Sequence, residues 1–336
     1  MPTPEINRQI EERLDELYQR HRGVDSERVR SYYEPGRGSF GAEEAGELAD
    51  RFGICLATVD GMRFGAGDDE TPFPLQSISK VFAYAQALED LGREEVLRHV
   101  GVEPSGDAFN SIVFDERHNR PYNPMVNAGA LVTSDLVRGR DAAEKAERVA
   151  EAMRVYAGSD HLAVDPDVVE LELQVADQNR ATAYLMRSQG MIGGDVEGTL
   201  TGYLKHCSVA VTCRELATMG ATLANGGVNP LTGERAISSA GVRDVLSVMH
   251  TCGMYDAAGQ WAFDVGVPAK SGVSGGILAV IPGKLGIAVY SPGLDEYGNS
   301  VRGISVCTAI SNRLGLHVFA TEDDDTMMRR VAAAAG

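Results

Sequence analysis

Ser77-Ile78-Ser79-Lys80 sets a hydroxyl and an amine three residues apart. On a helix, residues i and i+3 share a face, so Ser77 and Lys80 meet on a first turn. Ile78, Val81, Phe82, Ala85 and Leu88 make one apolar stripe, which predicts a helix beginning at Ser77 and capped by Gly92. Lysine is otherwise scarce: Lys80, Lys145, Lys205, Lys270 and Lys284 are the only lysines among 31 basic residues, and the rest are arginine. Arginine stays protonated in a protein, whereas a lysine half-buried against an apolar stripe can give up its proton. A neutral amine beside a serine at a helix N-terminus is what turns a hydroxyl into a nucleophile. Read alone, Ser77 as a helix cap and Lys80 as a solvated side chain account for the same residues, and Ser79 competes as the hydroxyl.

Lys270-Ser271-Gly272-Val273-Ser274-Gly275-Gly276 supplies the context. Its glycines let backbone approach a ligand closely, and its N–H groups, with that of Ser77, can face a developing oxyanion. By itself the segment reads as a Gly-rich turn before an edge strand. S-x-x-K followed by K-S-G is the outline of a serine acyl-transfer site.

The surrounding patterns give the architecture. Phe52 to Val59 and Met62 to Phe64 read as a hairpin turning on Asp60-Gly61, and Gly276 to Ile281 pairs with Leu285 to Ser291 across Pro282-Gly283. Between them, 127–136, 141–156, 178–188 and 212–225 have helical spacing, the last stopped by Asn225-Gly226-Gly227. Ile6, Ile10, Leu14 and Leu17 fall on one face of an N-terminal helix. The expected fold class is α+β: one antiparallel sheet built from both chain ends, flanked by helices, with an inserted helical lobe and a cleft between. The chain is expected to be a single domain over 1–336. Its sheet-containing lobe would span about 20–95 and 235–320, and its helical lobe about 96–234. An N-terminal helix over 1–20 and a peripheral tail over 321–336 complete it.

Composition excludes several roles. The formal net charge of −17 repels phosphate backbones and anionic lipid, so no nucleic-acid or membrane partner is expected. The first residues have no apolar h-region, and no apolar run is long enough to span a bilayer. Five cysteines without C-x-x-C spacing read as reduced thiols, which predicts a cytoplasmic protein. Seven histidines without ligand spacing predict no metal, and the reaction outlined needs no cofactor.

Five longer stretches carry a resemblance. They are Pro74-Leu75-Gln76-Ser77-Ile78-Ser79-Lys80-Val81-Phe82, Asn123-Pro124-Met125-Val126-Asn127-Ala128-Gly129-Ala130, Ala221-Thr222-Leu223-Ala224-Asn225-Gly226-Gly227, Cys252-Gly253-Met254-Tyr255-Asp256 and Pro268-Ala269-Lys270-Ser271-Gly272-Val273. In this order, over about Tyr32 to Phe319, the chain resembles the serine-dependent glutaminases of the β-lactamase-like fold. That resemblance implies hydrolysis of L-glutamine to L-glutamate and ammonia without a cofactor, in a homodimer or homotetramer. It implies Ser77 as nucleophile, Lys80 as base, Tyr255 as the third proton carrier, and Val273 as the residue whose N–H joins that of Ser77 at the oxyanion. It also implies Tyr32, Gln76, Asn127, Glu172, Asn179 and Tyr203 around the substrate. The chemistry agrees: glutamine's ammonium needs a carboxylate such as Glu172, and its carboxylate needs neutral donors such as Asn127, Asn179 and tyrosine hydroxyls.

The pattern departs from the family in two places. Leu171 stands where the family has serine, and Ala176-Asp177-Gln178-Asn179 replaces Gly-x-Arg-Asn, with the spacing intact. Tyr32-Tyr33-Glu34-Pro35 replaces Tyr-Ile-Pro, so either tyrosine fits the pocket position. The competing readings are a β-lactamase or penicillin-binding-type acyl hydrolase and a non-catalytic glutamine-binding protein. The first expects Y-x-N between the two lysine motifs, whereas Tyr297-Gly298-Asn299 follows Lys270. The second has no use for the intact Ser77, Lys80 and Tyr255.

Overall fold

The computed structural model describes residues 4–24, 30–31, 50–107 and 111–320. Helix α1 (Pro4–His21) and strand β1 (Arg30–Ser31) precede the hairpin of β2 (Gly53–Thr58) and β3 (Arg63–Gly67). The hairpin turns on Asp60-Gly61, with Gly61 at φ +87°, a conformation that any Cβ would strain. Strand β4 (Phe73–Pro74) leads to α2 (Ser79–Leu91) and α3 (Arg93–His99). The helical middle comprises α4 (Asn127–Leu136), α5 (Ala142–Ala157), α6 (Pro166–Gln174), α7 (Asp177–Ser188) and α8 (Val196–Cys207). Strand β5 (Ala210–Val211), α9 (Cys213–Ala224), α10 (Ser239–Cys252) and α11 (Ala258–Asp264) follow. The chain then returns through β6 (Ala269–Ser271), β7 (Gly276–Ile281), β8 (Leu285–Tyr290), β9 (Gly293–Leu294) and α12 (Val301–Leu314). No helix among the described residues is long and apolar enough to cross a membrane.

The helices with strong local punctuation lie where the pattern put them. Asp141 caps α5 by accepting from the Glu144 N–H, and Thr212 and Glu215 form a capping box at α9. Helices α3, α6, α8, α10, α11 and α12 escaped the pattern. Helices α8 and α12 carry glycine, serine and threonine in their interiors, so packing rather than propensity makes them helical.

The main sheet has the order β3-β2-β8-β7-β6, and every pair is antiparallel. Strands from both ends of the chain meet at β2 and β8, where Gly53 to Thr58 pair with Tyr290 to Leu285. Residues alternate between two cores. Cys55, Ala57, Leu278, Val280, Ala288 and Tyr290 face the helical side, while Ile54, Leu56, Ile277, Ala279, Ile287 and Val289 face Trp261, Val306 and α1. Helix α9 lies directly on β8, and Gly286 permits it: a Cβ there would stand 2.4 Å from the Ala217 carbonyl oxygen. The architecture is the α+β, β-lactamase-like arrangement expected.

Two features aim the site. Strand β4 pairs with β5 (Phe73 to Val211, Pro74 to Ala210), and the Leu75 N–H donates to the Val209 carbonyl at 2.9 Å. The run entering Ser77 is therefore tied to the end of α8. Helix α2 was expected to show one apolar stripe, but Ser79 to Ala85 are all buried. The helix runs through the interior between sheet and helical layers, so both of its faces are covered.

Candidate active site

Ser77 does not start α2, contrary to the expectation. Gln76 to Ile78 form a 3₁₀ turn, and the α-helix begins at Ser79. Gln76 sits at φ +51°, in the left-handed region that non-glycine residues avoid. The turn still carries Ser77 and Lys80 on one side, and the Lys80 Nζ donates to Ser77 Oγ at 2.5 Å. Lys80 was expected to be half-buried; it is 1 % exposed, because α8 closes over the side that the stripe left open, with the Tyr203 ring 5.5 Å from its Nζ.

The opposite wall is β6 and the loop after it. Gly272 presses on the nucleophile turn: a Cβ there would meet the Leu75 carbonyl oxygen at 2.7 Å and Gln76 Cβ at 3.5 Å. This close approach holds Val273 beside the turn, with its Cγ1 packed near Gly298. Lys270 is fully buried; its Nζ donates to the Ser271 carbonyl at 2.7 Å and lies 4.2 Å from the centre of the Tyr255 ring. Tyr255 itself sits at φ +52° in the turn Tyr255–Ala257, and its phenol interacts with the Ser77 side chain. Two strained residues, Gln76 and Tyr255, thus flank the same hydroxyl, each at a cost of about 1–3 kcal/mol that the surrounding packing must offset.

Burial sets the charges. Loss of hydration lowers the Lys80 pKa to about 8, against smaller upward pulls from Cys207 and Glu172. Lys270 is pushed well below the ordinary lysine value, first by burial and then by the charge on Lys80. Burial raises the Tyr255 phenol, and its interaction with the Ser77 side chain draws it partly back. Tyr203 is raised well above the phenol range, again chiefly by burial. The Lys80 ammonium faces the Tyr203 ring at 5.5 Å. The site thus holds two lysine–tyrosine pairs with room for few protons.

A more polar end adjoins it. Gln76 Nε2 donates to Glu172 Oε1 at 2.9 Å, joining the nucleophile turn to α6. Asn127, at the start of α4, donates from Nδ2 to Asn179 Oδ1 of α7 at 2.9 Å. The Tyr203 hydroxyl donates to Asn127 Oδ1 at 3.4 Å. Glu172, Asn127 and Asn179 are half-buried, unlike the lysines. The structure therefore brings together Gln76, Ser77, Lys80, Asn127, Glu172, Asn179, Tyr203, Tyr255 and Val273 by these links. Tyr32 and Tyr33 lie outside the described residues.

Sequence reasoning singled out Lys270 as a lysine kept where an amine is needed but assigned it no role in the site. The signal was there: in a chain that prefers arginine, it is one of the five lysines. Cys207 was read only as a reduced thiol, yet its Sγ is 3.7 Å from Ser79 Oγ, behind the nucleophile turn. No cluster of His, Cys, Asp or Glu among the described residues has the makings of a metal site.

A family model described as Glutaminase matches residues 45–319. The chain belongs to the glutaminase family. A glutaminase from Trichormus variabilis is 56% identical over 270 residues, covering 80% of each chain. The solved structure of a probable glutaminase, ybaS, superposes with a TM-score of 0.86 at 36% identity, covering 94% of this chain and 99% of that one. A second glutaminase structure, Mglu in its glutamate form, gives a TM-score of 0.85 at 42% identity, over 96% of this chain and 72% of that one. Both carry the sheet and helices described above at identities well beyond what shared fold alone requires.

Proposed function

We propose that this chain hydrolyses L-glutamine to L-glutamate and ammonia through an acyl-enzyme on Ser77. The hydrolysis comes with the family; the route rests on one observation, a buried Lys80 amine 2.5 Å from Ser77 Oγ. Neutral Lys80 takes the Ser77 proton as Oγ attacks the side-chain carboxamide carbon. The N–H groups of Ser77 and Val273 stabilise the oxyanion. On collapse the C–N bond breaks, and the leaving amide nitrogen takes, through Tyr255, the proton that Lys80 had accepted; it departs as ammonia and leaves Lys80 neutral. Water, deprotonated by Lys80, then attacks the ester, releasing glutamate and restoring Ser77.

Glu172 pairs with the ammonium of the substrate, held in place by Gln76. Asn127, Asn179 and Tyr203 face its carboxylate with neutral hydrogen-bonding groups. Two points of wider context belong to the same proposal. The protein works in the cytoplasm, in keeping with five free cysteines, four of them buried. It assembles as a homodimer or homotetramer, which light scattering would test directly.

The deciding experiment is ammonia release from glutamine by wild type and by Ser77→Ala, run beside asparagine and a chromogenic β-lactam. Release that depends on Ser77 and is strongest with glutamine is the expected result. Glutamine binding without release, or preferential β-lactam turnover, overturns the proposal.

A further inference from the structure

Tyr297-Gly298-Asn299 comes after Lys270, too late for the Y-x-N of a penicillin-binding site, yet it folds back onto the residues around Ser77. It belongs to a loop over 295–300 that is pinned at both ends. On one side β9 pairs with β1, Leu294 with Arg30 and Gly293 with Ser31. On the other, Ser300 caps α12 by accepting from the Gly303 N–H, and its Oγ donates to the Ser291 carbonyl at 2.8 Å. Within the loop, one Asp295 carboxylate oxygen accepts the N–H groups of Tyr297 and Asn299 at 3.0 and 2.8 Å. The Asp295 N–H donates to the Asn299 carbonyl at 2.8 Å. Gly298 stands at φ +92°, a conformation that any side chain would strain.

Two residues of this braced loop reach the proton-handling end of the site. A Cβ on Gly298 would stand 3.7 Å from Tyr255 Cε2 and 3.6 Å from Val273 Cγ1. Asn299 is fully buried, and its Nδ2 donates to the Met254 carbonyl at 3.4 Å. That carbonyl belongs to the peptide preceding Tyr255, so fixing its plane fixes the reference from which the strained φ of +52° is turned. The Ala257 N–H donates to the same oxygen at 3.1 Å, which engages both of its lone pairs. Asn299 Oδ1 is buried and takes no hydrogen bond. An amide left half-paired in the interior costs stability. An apolar side chain would avoid that cost but lacks the N–H that holds Met254. Charge acts in the same sense: burial chiefly raises the Tyr255 phenol, and the Asp295 carboxylate adds a smaller upward pull. The loop thereby favours the protonated phenol, the form that can hand a proton to a leaving nitrogen.

We propose that Asn299 is a positioning residue for the proton carrier: held by the 295–300 loop, it fixes the peptide on which Tyr255 turns and so aims the phenol at the reacting centre. The proposal rests on the Ser77 acyl-enzyme reading, within which Tyr255 serves to protonate the departing nitrogen.

Two substrates that differ in leaving group separate aiming from folding. Glutamine must have its leaving nitrogen protonated. The γ-methyl thioester of glutamate forms the same acyl-enzyme, but its thiolate departs with the C–S bonding pair and needs no proton. Asn299→Ala should lower kcat/KM for glutamine by about 100-fold and for the thioester by less than about threefold, the first being the cost of a slightly misplaced reacting group. Tyr255→Phe should shift the ratio of the two substrates at least as far, and adding Asn299→Ala to it should shift the ratio no further. Where Asn299→Ala does not fold, Asp295→Ala in the same loop is the second variant. It frees the N–H groups of Tyr297 and Asn299 and should shift the ratio at least about fivefold in the same direction. Equal losses on both substrates, or a wild-type ratio in the folded variant, overturn the inference and leave Ser77-dependent ammonia release standing. A wild-type ratio in Tyr255→Phe removes Tyr255 from the relay and overturns the reading beneath it as well.

Discussion

Lys80, Lys270, Tyr203 and Tyr255 are sealed from water, whereas Glu172, Asn127 and Asn179 remain half-buried beside them. The sealed end hangs on strained backbone at Gln76 and Tyr255, while the half-buried end is carried on three ordinary helices. The difference follows from what each must do. A lysine becomes a base near neutral pH only if water is kept from its ammonium form. An ammonium and a carboxylate of a free amino acid need partners that stay charged or polar until the substrate arrives. Substitutions should therefore separate into losses of turnover at one end and losses of affinity at the other.

The largest separation is expected at Ser77. Ser77→Ala should lower kcat by at least about 10⁴-fold, as removal of a nucleophile does in other acyl-transfer enzymes. Glutamine binding by calorimetry should stay within a few-fold of wild type, because the half-buried end is intact. A variant that neither turns over nor binds would show that the two ends are one unit.

The sealed end should also be a liability to stability. Lys80 has its pKa lowered to about 8, against about 10.4 in an unfolded chain. Between these values the unfolded state binds more protons, so stability rises with pH across that window, and the full cost is present below pH 8. The two-unit gap corresponds to about 3 kcal/mol. Lys80→Met should therefore be inactive yet more stable to denaturant at pH 7, with most of the gain gone by pH 10. Equal destabilisation at both pH values would mean that Lys80 is not strained by its burial.

At the other end, Glu172→Gln keeps an acceptor for Gln76 but loses the charge that meets the substrate ammonium. A charge-assisted contact is worth about 1.5–3 kcal/mol, so KM should rise about 10- to 100-fold with kcat changed only a few-fold. A collapse of kcat at constant KM would move Glu172 into the proton-handling end.

How far each region could be read from sequence follows the same division. The β7–β8 hairpin and α4 were legible because alternation, helical spacing and turn residues are local signals. The start of α2 was not. The positive φ of Gln76 is imposed by β4–β5 pairing and by Gly272, which are distant in sequence. The depth of Lys80 was hidden for the same reason: its stripe shows one covered face, and α8 supplies the other. Glu172 and Asn179 sit among residues that look solvated, and only the resemblance singled them out.

The smallest expected effects concern cross-talk between the ends. In wild type, kcat/KM should rise about tenfold per pH unit up to about 8 and level off above it, because protonated Lys80 cannot accept the Ser77 proton. Glu172 is the carboxylate that pulls upward on Lys80, and its pull is weaker than that of burial. Replacing it with glutamine should move the inflection to lower pH by less than about one unit, so this variant should be relatively more active at pH 6.5 than its KM alone suggests. The measurement is a pair of kcat/KM–pH profiles, each normalised to its own plateau so that the loss of affinity drops out. A shift to higher pH would contradict the electrostatic sign. No shift at all would mean that the two ends are insulated, and that the boundary between dry and wet runs between Gln76 and Glu172 despite their 2.9 Å hydrogen bond.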